Sequence, residues 1–482
     1  MKDKHLITTA IAYGNAAPHI GHAFEFVTAD TISRFYKITG EDVYFITGMD
    51  EHGQKIEQKA KESNTPVQEF VDMNAKSFLD LDKNLSVDYD FFVRTSDKEK
   101  HYLGAQALWK KLVDAGTIEK RKYKALYCIG CEEFKRDVDL NEKGECPLHL
   151  TKPEIVEEEN YFFKLSQYTN QIKEKISSDE LKIYPQSRKN EIMALLDRGL
   201  EDVSFSRPKS KVSWGIPVPD DDTQVMYVWC DALSNYITAI GYGTDKFDEE
   251  RWANTTHIIG KDILRFHAAI WPAMLIASGL PLPKRILVHG FITSGGQKMS
   301  KTLGNVLDPQ EILKMFESPA GELAGEALRF ILLHEIPSFE DGDLTMDTIK
   351  ASYTAHLANG IGNLTSRIMK MSATHLSEGI RPDEIVLPTD YKKAFESYDT
   401  KRALEFVVKE VKELDGYIQS SEPFKLVKVD EEKGKEIIKE MRIKLYNIAR
   451  LLQPFIPKTS DLIKSYVKDN SMPEKPLFNR LA

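Results

Sequence analysis

Apolar residues near the amino terminus form two short runs with a helical pattern between them. Residues 6–11 and residues 43–47 are rich in apolar and β-branched side chains, as in buried strands. The helical pattern is carried by Phe24, Val27, Ile32 and Phe35. The order strand, helix, strand favours a parallel sheet. Residues 18–22 therefore lie between the carboxyl end of a strand and the start of a helix, where open α/β sheets bind ligands.

The carboxyl-terminal third has a different pattern. Strand-like runs end near Lys350, and apolar residues then recur three or four positions apart. The clearest series is Ile437, Ile438, Met441, Leu445, Ile448 and Leu452. Pro454 ends this series. The pattern predicts an all-α antiparallel helix bundle.

The turn at residues 18–22 reads Pro-His-Ile-Gly-His. Free N–H groups and the helix dipole favour a phosphate at this place. His19 and His22 are three positions apart, and each can hydrogen-bond a phosphate or, if protonated, neutralise it. Gly21 allows a nucleotide to approach the backbone closely. On this motif alone, two ordinary histidines at a helix start remain an equal alternative.

A second motif, Lys-Met-Ser-Lys-Thr at residues 298–302, follows the apolar run 286–288 and has glycines on both sides. The glycines indicate a mobile loop. Lys298 and Lys301 offer two ammonium groups, which suit the charge that develops in phosphoryl and adenylyl transfer. The alternative is a solvated basic loop.

Three of the four cysteines lie close together in the sequence. Cys128, Cys131, Cys146 and His149 have the spacing of a zinc knuckle, in which two ligand pairs complete a closed, structural site. The alternative is a set of reduced cysteines near an incidental histidine. Cys230 stands apart and is expected to be a small buried side chain.

Composition adds little to these motifs. The chain has 482 residues, which allows about three domains, and a net charge of −9, which neither supports nor excludes a nucleic-acid partner. We find no signal peptide, and the longest apolar stretch, at residues 268–280, contains Pro272 and is too short to cross a membrane. We therefore expect a cytoplasmic protein that does not act at a membrane.

The two motifs together resemble the signatures of the class I aminoacyl-tRNA synthetases, and within them the methionyl-tRNA synthetase family. The resemblance covers essentially the whole chain and includes further blocks at residues 10–13, 48–53, 227–232 and 259–267. It implies ATP-dependent activation of L-methionine to methionyl-adenylate with release of pyrophosphate. Transfer to the terminal adenosine of tRNA(Met), including the initiator, then serves translation initiation and elongation.

The resemblance also implies a domain organisation. A Rossmann-like parallel-sheet catalytic domain would comprise residues 1–117 and 223–306, interrupted by a connective insert with the zinc knuckle at 118–222. A linking region would occupy residues 307–349. The helix bundle at 350–482 would be the anticodon-binding domain. The family's appended carboxyl-terminal module for tRNA binding and dimerisation has no counterpart here, so a monomer is expected.

Site residues follow from the matching positions. The residues expected at ATP are His19, Gly21, His22, Gly260, Asp262, Phe291, Ile292, Lys298 and Lys301. His19, His22, Lys298 and Lys301 would be catalytic, and Mg²⁺ would accompany ATP. The residues expected at methionine are Ile11, Tyr13, Asp50, Trp229, Ala232, Leu233, Tyr236, Ile263, Phe266 and His267. Asp50 would hold the ammonium group, and Tyr13 and His267 would offer donors to the sulfur. Without the resemblance, core packing would explain the aromatic residues.

In the helix bundle, Asn363 and Arg367 match the family's anticodon-contacting positions and share one helix face. Phe424 stands where most relatives have tryptophan, and it can still stack on a base. An ordinary solvated face is the alternative for the polar pair.

Other classes of protein fit the sequence less well. Leucyl, isoleucyl and valyl synthetases carry a larger insert, and the cysteinyl enzyme spreads its zinc ligands along the chain. A non-catalytic RNA-binding paralogue conflicts with two intact motifs. A small-molecule nucleotidyltransferase would leave the helical third and the knuckle without a role.

Overall fold

A computed structural model describes residues 3–130, 133–135, 137–147, 150–299, 305–380, 382 and 386–481. In chain order, the strands are β1 (Lys4–Thr9), β2 (Ala12–Tyr13), β3 (Asp42–Asp50), β4 (Phe91–Arg94), β5 (Ile118–Cys128), β6 (Glu133–Lys135), β7 (Glu154–Phe163), β8 (Lys182–Tyr184), β9 (Val203–Ser204), β10 (Ser206–Pro208), β11 (Pro217–Val218), β12 (Asp221–Met226), β13 (Thr255–Gly260), β14 (Arg285–His289), β15 (Ile292–Ser294), β16 (Gln297–Lys298) and β17 (Gly342–Asp343).

The α-helices are α1 (Ile20–Ile38), α2 (Gln54–Glu62), α3 (Val67–Asn84), α4 (Leu103–Asp114), α5 (Thr169–Ser177), α6 (Gln186–Asp197), α7 (Val228–Thr238), α8 (Glu249–Ala253), α9 (Trp271–Ser278), α10 (Pro309–Ala320), α11 (Ala324–Glu335), α12 (Met346–Ser352), α13 (Asn363–His375), α14 (Thr389–Glu396), α15 (Thr400–Ser421), α16 (Pro423–Leu426), α17 (Glu431–Leu452) and α18 (Pro457–Asp469). Segments Lys98–Tyr102, Phe266–Ile270 and Tyr353–Gly362 are π-helical.

The chain divides into two compact units. The first comprises residues 1–17, 41–79 and 89–288, and the second comprises residues 18–40, 80–88 and 289–482. This division joins the predicted insert to the parallel-sheet unit, and it places α1, residues 80–88 and residues 289–349 with the carboxyl-terminal helices. The predicted domain boundaries themselves stay a prediction.

The first unit is built on a seven-stranded sheet with the order β2-β3-β1-β13-β14-β8, with β4 also paired to β3. β1 runs parallel to both β3 and β13, which confirms the predicted parallel sheet. Leu6, Ile46, Ile259 and Ile286 from four of these strands share one buried core with α4, α7 and α9. The carboxyl ends of the strands meet at one edge, where parallel sheets place their ligands.

The insert within the first unit carries separate sheets. β5 and β7 form a long antiparallel pair, with Ile118 opposite Phe163, flanked by β6 and β9. β12 pairs with β10 and β11 in a three-stranded sheet. An insert between the halves of the parallel sheet was expected at residues 118–222. Antiparallel sheets lie in that range, but it also contains β8, which pairs in parallel with β14 as an edge strand of the main sheet.

The second unit is mainly helical. Its core combines α1 with α10 to α15, α17 and α18, and Phe35 of α1 stacks on Phe395 at 3.9 Å. α17 ends at Leu452, two residues before the proline that the sequence marked as the stop. Among the described residues after 350 there is no strand, as predicted.

One buried charge cluster fixes α1 within the second unit. Arg329 is 0% exposed, pairs with Asp30 at 2.6 Å, and donates to the carbonyls of Leu85, Pro454 and Phe455. Burial alone would raise the pKa of Asp30, but Arg329 and Arg34 outweigh it and lower that pKa. A buried charge is tolerated here because each group has a charged or hydrogen-bonding partner.

Candidate active site

The predicted methionine residues lie on a few neighbouring elements of the first unit. Tyr13 of β2 lies opposite Asp50 of β3 in the parallel register, at the carboxyl end of the sheet. On α7, Trp229, Ala232, Leu233 and Tyr236 have the spacing i, i+3, i+4, i+7 and therefore share one helix face. Trp229 stacks on Phe266 with ring centroids 3.7 Å apart. Ile263 and Phe266 pack against the same core as Leu233 and Tyr236.

Tyr236 and His267 form the polar part of this cluster. The Tyr236 hydroxyl lies 2.7 Å from His267 Nε2, and His267 Nδ1 lies 3.0 Å from the carbonyl oxygen of Ile263. A carbonyl oxygen only accepts hydrogen bonds, so the neutral ring carries its proton on Nδ1. Nε2 then accepts a hydrogen bond from the Tyr236 hydroxyl. Burial lowers the pKa of His267 to about 4, so the ring is neutral. In this arrangement His267 orients Tyr236 and has no second N–H for a thioether sulfur.

Two features suit this cluster to an amino-acid ligand. Asp50 is buried at 7% exposure and offers a carboxylate, the group that holds an ammonium ion. The Trp229 indole N–H is buried and has no hydrogen-bond partner among the described residues. Aromatic side chains such as Trp229 and Phe266 pack favourably against a polarisable thioether. Ile11, also expected here, is half-buried beside β2.

A buried hydrogen-bonded bridge that the sequence reasoning did not assign lies beside these residues. The fully buried Asp231 of α7 bridges His52 Nδ1 at 2.6 Å and His101 Nε2 at 2.7 Å. Burial alone would raise the pKa of Asp231, but His52 and His101 outweigh it and lower that pKa. The signal in the sequence was a charged residue inside the apolar run of α7. Through this bridge, α7 is tied to residues that follow β3 and precede α4.

Two of the residues expected at ATP lie at the end of β13. Gly260 is its last residue, and Asp262 follows in a short turn with an exposed side chain. This is the carboxyl edge of the parallel sheet, as the sequence predicted for a ligand site.

The histidine motif starts α1 in the second unit. His19 Nδ1 accepts from the Gly21 N–H at 3.1 Å, and His22 Nδ1 accepts from the His19 N–H at 3.1 Å, so the two rings cap the helix and stack at 3.8 Å. A Cβ at Gly21 would lie 2.9 Å from the His19 ring. Gly21 therefore leaves room for His19, a reason that the sequence reasoning did not give.

The protonation of this motif follows from its hydrogen bonds. Because each Nδ1 accepts a backbone N–H, each neutral ring carries its proton on Nε2. Burial, with His19 and His289 as neighbours, holds the pKa of His22 well below its ordinary value. His289, which the sequence reasoning missed, lies 3.0 Å from the carboxylate of Glu25 on α1.

A small hairpin in the second unit leads to Lys298, the first residue of the lysine motif. Phe291 and Ile292 are half-buried at its start, and β15 pairs with β16 and with β17. Asp343 accepts hydrogen bonds from Thr293 at 2.8 Å and from the Gly296 N–H at 2.7 Å. These bonds lower the pKa of Asp343, the Gly296 bond most. Asp343 was not predicted, and it fixes the hairpin that leads to Lys298.

Several predicted site residues lie outside the described residues. These are Cys131, His149 and Lys301, and the side chain of Lys298 is also not described. Of the predicted zinc ligands, Cys128 is the last residue of β5. Cys146 lies in a turn, where its carbonyl oxygen accepts a hydrogen bond from the Leu150 N–H. Both cysteines are buried at 2% and 0% exposure, and neither is in a disulfide. Two buried, reduced thiols on tight turns fit half of a knuckle.

The anticodon positions lie in the helix bundle. Asn363 is exposed at the start of α13. Arg367, one turn later, forms an ion pair with Asp415 of α15. Phe424 in α16 is 44% exposed, so it is not part of the core.

The comparisons with known proteins assign the class. The sequence profile of the family described as tRNA synthetases class I (M) matches residues 5–150 and 139–369. The chain belongs to this family of class I aminoacyl-tRNA synthetases.

The individual relatives are enzymes for methionine. The methionine–tRNA ligase of Brucella suis biovar 1 (strain 1330) is 38% identical over 479 residues, which cover 95% of this chain and 91% of the relative. The methionine–tRNA ligase of Thermotoga maritima is 36% identical, covering 98% of this chain and 76% of the relative. The solved structure of Mycobacterium tuberculosis methionyl-tRNA synthetase in complex with methionyl-adenylate superposes with a TM-score of 0.90 at 31% identity, covering 99% and 100% of the two chains. The resemblance read from the motifs is confirmed.

None of the helices in the described part of the chain is both long and apolar enough to cross a membrane.

Proposed function

We propose that this chain ligates methionine to tRNA(Met) in two ATP-dependent steps. The observation that carries the proposal is the cluster of Tyr13, Asp50, Trp229, Tyr236 and Phe266 at the carboxyl edge of the parallel sheet. The family and its methionine-specific relatives support the same conclusion.

In the first step, the methionine carboxylate attacks the α-phosphorus of ATP, the bond to the β-phosphate oxygen breaks, and pyrophosphate leaves. Asp50 would hold the ammonium group, and the aromatic cluster would enclose the side chain. His19 and His22 would donate from Nε2 to phosphate oxygens, and Lys298 and Lys301 would balance their charge. Gly260, Asp262 and the backbone at Phe291 and Ile292 would contact adenosine. Mg²⁺ would be held mainly by phosphates and water.

In the second step, the ribose hydroxyl of the terminal adenosine attacks the activated carbonyl, and AMP leaves. Neither step needs an enzyme nucleophile, so catalysis would rest on proximity and charge stabilisation. Asn363, Arg367 and Phe424 would contact the anticodon. Arg367 would then exchange its bond with Asp415 for one to a base.

The test is exchange of pyrophosphate into ATP with each of the twenty amino acids, without tRNA. We expect exchange with methionine alone, and loss of it in Asp50→Ala, where the ammonium partner is gone. Asp245→Ala, an exposed carboxylate far along the chain, is the matched control. Exchange with another amino acid, or equal exchange in the Asp50 variant, would refute the pocket assignment.

We also propose that Cys128, Cys131, Cys146 and His149 hold one structural zinc ion in the insert. The buried, reduced state of Cys128 and Cys146 supports this. Zinc content should fall by one ion per chain in Cys128→Ser and stay unchanged in Cys230→Ala. Unchanged zinc content in the Cys128 variant would refute the site.

A further inference from the structure

Three metal-binding side chains meet in the second unit outside the sites described above. His334 and Glu335 are the last two residues of α11, and His356 lies in the π-helical segment Tyr353–Gly362. One ligand atom from each lies within 4.8 Å of the other two. A π-helical segment often marks a functional place, because it turns a side chain away from the ordinary helix register.

The geometry is close to that of a metal site. His334 Nδ1 lies 2.8 Å from Glu335 Oε1, and the two imidazole rings are 4.2 Å apart. Ligand atoms around a tetrahedral zinc ion are about 3.3 Å apart, as its bond lengths require. Small side-chain rotations therefore suffice to bring all three atoms onto one ion.

The cluster is also held in place by its neighbours. Phe330 stacks on His334 at 5.5 Å. The side chains of His334 and Glu335 are only 16% and 23% exposed. Lys401 donates to the main-chain oxygen of Glu335 at 3.0 Å, so its charge is directed at the backbone and not at the carboxylate.

We propose that His334, Glu335 and His356 bind one divalent transition-metal ion of the zinc class. Two imidazoles and one carboxylate are a ligand set that such ions prefer, and the fourth position is left for water. The ion would join the end of α11 to the π-helical segment and so stabilise the second unit. The site is separate in sequence from the predicted knuckle and does not depend on the proposed function.

The test compares the zinc content of tag-free full-length chains that are stripped with a chelator, reloaded with Zn²⁺ and desalted. We expect His356→Gln to hold one zinc ion fewer per chain than the unaltered protein, whatever the knuckle binds. Glu335→Gln should show the same loss. His375→Gln, a histidine at the end of α13, is the matched control and should lose nothing.

Two further readouts separate this site from the knuckle and from misfolding. Co²⁺ at the proposed site should give weak visible bands without the thiolate charge-transfer band that cysteine ligands produce. Zn²⁺ should raise the melting temperature of the unaltered chain more than that of His356→Gln, while methionine-dependent exchange stays equal in both. Equal zinc content in the unaltered, His356 and Glu335 chains would overturn the proposal, as would binding only at millimolar Zn²⁺.

Discussion

Replacing Asp231 by asparagine tests how the methionine-side elements are held together. The carboxylate is fully buried and bridges His52 and His101 at 2.6 Å and 2.7 Å. An amide has one acceptor oxygen, so one ring N–H loses its partner and meets an NH₂ group. Leaving a buried hydrogen-bonding group without its partner costs about 1–3 kcal/mol. We expect Asp231→Asn to lower the free energy of unfolding by about that amount.

The assay is urea unfolding followed by circular dichroism, with Asp245→Asn as the control. Asp245 is exposed, so its replacement should change stability by less than about 0.5 kcal/mol. Because α7 carries Trp229 and Tyr236, a loosened α7 should also raise the KM for methionine in pyrophosphate exchange. A loss of stability below about 1 kcal/mol would refute the bridging role.

The pH dependence gives a second readout. The pKa of Asp231 is lowered in the folded chain, so its contribution to stability is present above the unfolded pKa of 3.8. That contribution is lost as pH falls through the lower folded value. The unaltered chain should therefore lose stability below about pH 4 more steeply than Asp231→Asn. Parallel curves for the two chains would contradict the assignment.

Three further predictions concern other sites. Asp82 is 1% exposed with no hydrogen-bond partner among the described residues, and burial raises its pKa well above the ordinary value, with Asp30 adding to the effect. Keeping this carboxyl group protonated in the folded chain costs stability once the pH rises above its unfolded pKa. Asp82→Asn should therefore raise the free energy of unfolding by about 1–3 kcal/mol at pH 8 and by less at pH 4. Gly21→Ala should keep or slightly raise thermal stability but lower kcat/KM for ATP in exchange by about 10–100-fold, because the new Cβ would lie 2.9 Å from the His19 ring. Phe424→Trp should leave tRNA affinity, measured by filter binding, equal or higher, since the ring is 44% exposed; a large loss would show a packing role.

Local patterns predicted the parallel sheet and the helical third because those features repeat within one element. β1, α1, β3 and α17 are each marked by apolar spacing over a few residues. No local sequence pattern predicts the buried hydrogen bonds between Asp231 and the two histidines. Asp231 lies 179 residues from His52 and 130 from His101, and their meeting depends on packing between elements.

The candidate site also contains some residues that the sequence predicted and others that it did not. The motif residues at 18–22 and 298–302 were predicted from their chemistry and spacing, and the aromatic positions on α7 were predicted only by resemblance. Asp343 and His289 were not predicted, because a single acidic or histidine residue at the end of a strand has many uses. The orientation of His267 toward Ile263 also depends on the π-helical turn at Phe266, which no apolar spacing predicts.

The protonation of the two motif histidines decides how the site can handle phosphate charge. Both Nδ1 atoms accept backbone N–H groups, so His19 and His22 can offer only Nε2–H while they are neutral. The pKa of His22 is held low, mainly by burial, so it stays neutral near pH 7. A neutral donor stabilises an oxygen atom but does not balance a full negative charge. Under the proposed function, the balancing charge would come from Lys298 and Lys301, so neither the histidine turn nor the lysine loop would be sufficient alone for adenylation.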